Sequence, residues 1–375
     1  MKLFTRILHP LNTRFLRWAR RSTDIPVFGF DISDETIKYV KFRPEKHLDI
    51  EATGTITIPA GIITDGEIKK EDDLVALCRE FRKSAPACIK RSFAIVSLPE
   101  EKSYVRLLEI PRVRRDDVGN AIRWELEGHI PLAVDDLAYD FDVLEPDSPA
   151  DAIYHAVVVA FPKAIVESYA SVLERSGIPP AALILESQAL TRCIAADMQR
   201  NSSVIVTDIG RHRTSFAILA DGAMLFTNTI QTGGLHMERA IATALNVSAE
   251  EAVVIKKTIG FHRRKFDGRL HAALLPFLTA IGDELRRLMD FYAAHAARRA
   301  NAPPRITGIL LAGGDANLYG LDTYLASSLK VPISGINPFA SSMDRFRFGI
   351  PPLPQRTALA FTVAIGLALH GISPE

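Results

Sequence analysis

Two aspartates close apolar runs of the same design. Val27-Phe28-Gly29-Phe30-Asp31-Ile32-Ser33 and Val204-Ile205-Val206-Thr207-Asp208-Ile209-Gly210 each end in Asp-Ile and a small residue. Each is followed by a second β-rich run, Thr36 to Phe42 and Thr214 to Leu219. A third apolar run, Ile309 to Ala312, breaks at Gly313-Gly314. A carboxylate at a strand end can hold Mg²⁺, usually through water. Tight turns of small residues present N–H groups to phosphate oxygens. Asp31 and Asp208 are therefore the candidate Mg²⁺ carboxylates. Ser33 to Thr36 and Gly210 to Thr214 are the candidate phosphate turns. Gly313-Gly314 is the candidate adenosine turn, and Gly233-Gly234 a second close-approach turn. Each element alone is common, and it is their order along the chain that is specific.

The elements that must position these residues follow from periodicity and turn chemistry. Two related hairpins and a late strand–Gly-Gly turn predict an α/β protein with a duplicated fold, its two lobes set around a nucleotide cleft. A basic amphipathic tail covers 1–24. The first lobe takes 25–99 and 151–200, around strands near 26–31, 36–43, 48–58, 93–98 and 181–185. Residues 100–150 differ in texture and read as an inserted α+β subdomain. The second lobe takes 201–235 and 300–350, with a helical subdomain at 236–299. A C-terminal helix, Ala358 to His370, lies within a 354–372 segment returning to the first lobe.

The chain has 375 residues, 47% hydrophobic and 24% charged, as in a folded globular protein. Its net charge of +1 gives no bias toward nucleic acid. The basic residues that stand apart are Lys2, Arg6, Arg14, Arg17, Arg20 and Arg21. They lie opposite a stripe of Phe4, Ile7, Leu8, Leu11, Phe15 and Trp18, which fits either contact with an anionic membrane surface or a solvated tail. Cys78, Cys88 and Cys193 have no metal-ligand spacing and read as reduced thiols. No apolar run reaches the roughly 20 residues of a membrane span, and no secretory signal pattern is evident.

The ordered set resembles the actin-like ATPase superfamily, and within it the family of type IV pilus assembly protein PilM. The resemblance rests on Phe30-Asp31-Ile32-Ser33, Leu108-Glu109-Ile110-Pro111, Trp124-Glu125-Leu126-Glu127 with Ile130-Pro131, Asp208-Ile209-Gly210, Thr232-Gly233-Gly234 and Leu311-Ala312-Gly313-Gly314. Ala364 to Ala368 completes it. It implies an actin-like (ribonuclease H-like) fold with an SHS2-type insertion. It also implies ATP with Mg²⁺ as ligand, and a place in the cytoplasm at the inner membrane. The implied partners are the N-terminal tail of a PilN-type inner-membrane protein, gripped between the inserted subdomain and its neighbour, and other pilus assembly components. Ala252 and Lys256 match the family's ribose-contact pattern, though Val253 stands where that pattern has Glu. Glu186, at a strand end, matches the position of a water-orienting carboxylate. It equally suits a helix N-terminus.

Ser33 replaces the usual glycine and is followed by Asp34-Glu35, two carboxylates that repel phosphate unless they turn away or bind Mg²⁺. Arg211-His212-Arg213 follow Gly210 and could neutralise phosphate charge. The expectation is an ATP-binding scaffold with weak or absent hydrolysis. The competing readings are an actin-fold small-molecule kinase or phosphatase, and a polymerising FtsA-like cytoskeletal protein.

Overall fold

The computed structural model describes residues 26–43, 49–144, 153–194, 202–220, 223–296, 303–339 and 352–371. The tail expected at 1–24 lies outside them. The chain divides into two compact units. The first gathers the described residues up to Cys193, with Phe339, Pro352 and Val363 onward; the second gathers Ile194–Pro338 and Leu353–Thr362.

In the first unit, β1 (Val27–Ile32), β2 (Thr36–Phe42) and β3 (Ile50–Thr57) form an antiparallel meander. Phe28, Phe30 and Ile32 are buried on one face and Gly29 and Asp31 on the other, so β1 is covered on both faces. A short ribbon, β4 (Ile63–Thr64) with β5 (Glu67–Ile68), turns at Asp65 and Gly66, both at positive φ. Helix α1 (Glu71–Ser84) starts on three acids and ends on Arg82 and Lys83, as the helix dipole favours. It buries Leu74, Cys78 and Phe81. The four-residue α2 (Ala87–Lys90) leads into β6 (Phe93–Leu98), which lies parallel to β1.

The inserted subdomain then runs β7 (Tyr104–Pro111), α3 (Val118–His129), β8 (Leu137–Val143) and β9 (Ile153–Pro162). Its three strands pair antiparallel in the order β7-β9-β8. Leu108, Ile110, Ile122, Leu126 and Val158 form its own core. This corrects the expected boundary at 150. Ile153–Pro162 is the central strand of the inserted sheet, not a strand of the lobe. Val157, Val159 and Phe161 are buried on the face opposite Val158. A strand covered on both sides loses the alternation that would have marked it. Helix α4 (Lys163–Arg175) leads to Gly177 in the left-handed region. Then β10 (Pro180–Leu185) adds parallel to β6, and α5 (Glu186–Ile194) follows. The sheet order is β10-β6-β1-β2-β3.

The second unit repeats the plan. β11 (Ser203–Ile209), β12 (Thr214–Ala220) and β13 (Ala223–Ile230) form the meander. Helices α6 (Gly234–Leu245), α7 (Ala249–Thr258) and α8 (Arg269–Ala296) follow. Along α8, Leu270, Leu274, Leu278, Ile281, Leu285 and Leu288 keep one buried face, each contributing about 1.5–3 kcal/mol. β14 (Gly308–Ala312) runs parallel to β11; α9 (Leu321–Leu329) precedes β15 (Ile333–Gly335), which runs parallel to β14. The order β13-β12-β11-β14-β15 matches that of the first sheet element for element. The fold is thus α/β and duplicated, with a small α+β insertion.

The expected helix Ala358–His370 is two, α10 (Gln355–Ala360) and α11 (Thr362–His370), because Phe361 leaves helical geometry at φ −108, ψ 7. From Val363 the chain belongs to the first unit. There α11 meets β1 backbone to backbone: a methyl at Gly29 would lie 2.1 Å from the Ala364 carbonyl oxygen.

Candidate functional site

The second unit brings most of the candidate residues together. Asp208 stands near the end of β11, with Ala312 of β14 as its partner across the sheet. Gly313 follows at φ 90, ψ 162, a region open only to glycine. A methyl there would lie 2.3 Å from Asp208 Oδ1 and 2.4 Å from the Ile209 carbonyl oxygen. Gly314 does not share this constraint, since a methyl on it would meet only Ala360 at ordinary contact distance.

The turn between β11 and β12 is closed by the Gly210 N–H donating to the Arg213 carbonyl (2.9 Å), and Thr214 Oγ1 donates to the Thr232 carbonyl (2.7 Å). The start of α6 docks on this turn. Gly234 N–H donates to the Gly210 carbonyl at 3.0 Å and Leu235 N–H to that of Arg211 at 2.8 Å. A methyl on Gly233 would lie 2.6 Å from both carbonyl oxygens. Gly210, Gly233 and Gly234 therefore lock two turns together, and the first amides of α6 are spent on that joint.

Charge gathers behind it. Lys256 of α7 is buried, and its ammonium donates to Glu238 Oε1 (2.7 Å), Asp315 Oδ1 (2.5 Å) and the Gly234 carbonyl (3.3 Å). Three acceptors saturate an ammonium. Glu238, on α6, also takes Arg211 Nη1 at 2.9 Å. Burial pushes the Glu238 carboxyl up, but Lys256 and then Arg211 outweigh it and hold it below the usual range. Glu238 and Asp315 were not among the residues expected from the sequence. The available signal for Asp315 was its place directly after the glycine pair. Glu238 had none beyond its position one helical turn past Gly234.

The first unit holds the other expected residues. Asp31, on β1, is buried, and its Oδ1 accepts from Ser97 Oγ at 3.0 Å; Ser97 Oγ in turn accepts from the Ile32 N–H at 3.0 Å. Ser33 closes the β1–β2 turn with its N–H and Oγ, both 2.9 Å from the Thr36 carbonyl. Asp34 is buried and accepts from the Gly66 N–H at 3.0 Å, so its charge serves the β4–β5 turn. Glu186 is the first residue of α5, where the helix dipole favours a carboxylate. Beside it, Ser187 donates through both N–H and Oγ to Glu100, at 3.0 Å each. No group of three or more His, Cys, Asp or Glu side chains placed to hold a metal lies among the described residues. No described helix is long and apolar enough to cross a membrane.

Comparison with known proteins decides the family. The profile of "Type IV pilus assembly protein PilM" matches residues 29–372. The chain belongs to the PilM family. The solved "PilM-PilN type IV pilus biogenesis complex" is similar in structure over 93% of this chain and 99% of that one, with a TM-score of 0.76 at 23% identity. MreB 5 of Spiroplasma citri bound to AMPPNP superposes with a TM-score of 0.51 at 13% identity, over 91% of this chain and 94% of that one. The fold of this PilM-family chain is therefore that of the actin-like ATPases. The cell division protein FtsA of Enterococcus faecalis is 30% identical over 104 residues, 28% of this chain. The match spans about a quarter (24%) of that relative's length.

Proposed function

We propose that this protein is a nucleotide-holding scaffold of type IV pilus assembly, which grips the N-terminal tail of a PilN-type inner-membrane protein. The observation that carries the reading is the family match over 29–372, together with full-length likeness to a PilM-PilN complex. In this reading ATP is the ligand. Asp208, Gly210, Thr214, Gly233, Gly234, Gly313 and Gly314 hold it in the second unit, with Lys256 bracing the Gly234 carbonyl behind them. Asp208 would hold Mg²⁺, which would neutralise phosphate charge. Support comes from the convergence of the second-unit residues on one set of docked turns.

The ligand acts mainly by fixing the conformation that binds it, stabilising by mass action. Hydrolysis is weak or absent. Glu186 heads a helix, and Asp34 is committed to a structural turn.

The partner tail lies along the inserted subdomain, where it faces the rest of the first unit. β8 is an edge strand of that sheet, and edge strands accept extended peptides. Asp142 on β8 is half-buried, and burial raises its carboxyl above the usual range, so a cationic partner group would relieve it. Peripheral contact with the membrane through 1–24 and contacts with other pilus components complete the proposal.

Two titrations test it. Fluorescent ATP should bind the purified protein, and Asp208→Ala should weaken it at least tenfold; binding untouched by that change removes the assigned site. A labelled peptide copying the first residues of the PilN-type partner should bind, and Asp142→Ala should reduce its affinity. A peptide that fails to bind at any concentration up to about 1 mM defeats the scaffold reading.

A further inference from the structure

The Asp315 carboxylate is placed in an unexpected way. It follows the Gly313-Gly314 turn directly and packs against Gly234, where a methyl would lie 1.9 Å from Asp315 Oδ2. Its Oδ1 is bound by Lys256. Its side chain keeps 17% of its surface in solvent, against 5% and 6% for Lys256 and Glu238. Asp315 is thus the outermost carboxylate of a buried charge network, held by a fixed cation and still reachable by a ligand. Meanwhile Val253, one turn before Lys256 on α7, offers no polar group.

An ionised carboxylate only accepts hydrogen bonds. It repels phosphate and favours a donor such as a sugar hydroxyl. Lys256 cannot serve that ligand directly, since its three donors already meet Glu238, Asp315 and the Gly234 carbonyl. Arg211, on the β11–β12 turn, is the exposed cation of the same network. The charges therefore sort a nucleotide end to end, with phosphates toward the Arg211 turn and sugar toward Asp315.

We propose that Asp315 is the residue that reads the ribose hydroxyls of the nucleotide, with Lys256 and Glu238 as positioning residues that hold its carboxylate. This rests on the nucleotide reading above. The test titrates ATP, 2′-deoxy-ATP and 3′-deoxy-ATP into wild type, Asp315→Ala and Asp315→Asn, with a thermal melt of each variant to check folding. A hydrogen bond to a charged group is worth about tenfold or more in affinity. Wild type should prefer ATP over at least one deoxy analogue by about that factor. Asp315→Ala should lose ATP affinity down to the deoxy level while keeping its deoxy affinity within about threefold.

Equal affinity of wild type for all three nucleotides overturns the proposal and leaves nucleotide binding standing. An equal loss for all three in a folded Asp315→Ala also overturns it, because Asp315 then acts on the site only as a support. A wild type that binds none of the three overturns both readings at once.

Discussion

Replacing Lys256 by Met gives a decisive test of the buried network. The methionine keeps the volume and removes the ammonium that sits 2.7 Å from Glu238 and 2.5 Å from Asp315. Breaking a buried pair by deleting one partner leaves uncompensated charge and costs about 3–5 kcal/mol. The pH dependence then supplies a sign. In wild type the Glu238 carboxyl is held below its ordinary value of 4.5, so it adds stability above that pH, lost as pH falls through the depressed value. In Lys256→Met, Arg211 alone opposes burial, and the Glu238 carboxyl rises above its ordinary value. Its contribution then holds at acid pH and is lost as pH increases. The variant should therefore be damaged more at pH 7.5 than at pH 5, by about 1.4 kcal/mol for each unit by which its carboxyl value exceeds 5. Trp18 and Trp124 both fall in the first half of the sequence, so tryptophan fluorescence is a poor reporter of this unit. Hydrogen exchange of the α6 and α7 amides reports it directly. Adding Glu238→Gln to the variant should restore much of the loss, since it removes a stranded charge. A loss under about 1 kcal/mol, or one equal at the two pH values, would refute the reasoning.

Three further outcomes are expected. Gly313→Ala meets a glycine-only conformation and two oxygens inside 2.5 Å, and should cost about 1–3 kcal/mol from the backbone alone, read in urea melts followed by circular dichroism. Gly29→Ala should unfold the first unit at lower denaturant, followed by hydrogen exchange of the β1 amides, because its methyl meets the Ala364 carbonyl and not a movable side chain. His370 accepts a hydrogen bond from Arg192 Nε at 3.3 Å; burial first, and Arg192 second, push it down to about 4. Its contribution is complete above the ordinary value of 6.5 and falls away as pH drops toward 4, by at most about 3 kcal/mol. His370→Leu should flatten the stability profile across that window.

The repeated Asp-Ile phrase foretold the repeated sheet, because a buried strand followed by a β-rich run is a local pattern. The close crossings at Gly233 and Gly313 were legible for a similar reason: a glycine at a tight crossing leaves a mark in the sequence. Asp315 and Glu238 were not. An acid on an amphipathic helix or in a loop reads as solvated, and only the fold reveals that Lys256 waits for both. The subdomain boundary failed at Ile153, where a strand covered on both faces looks the same in an insertion as in a lobe. Asp34 and Glu35 looked hostile to phosphate until the Gly66 amide gave Asp34 a structural task.

The contact of α11 on β1 also sets a timetable for synthesis. The first unit begins at the first strand, yet it lacks its closing helix until Val363, 170 residues past Cys193 (363 − 193), has left the ribosome. At about 5–20 residues per second that interval lasts about 10–35 s. Through it β1 and α5 stand without the helix whose backbone fits Gly29 and Ala189. The nascent chain therefore carries an open apolar face while its second unit is still being made.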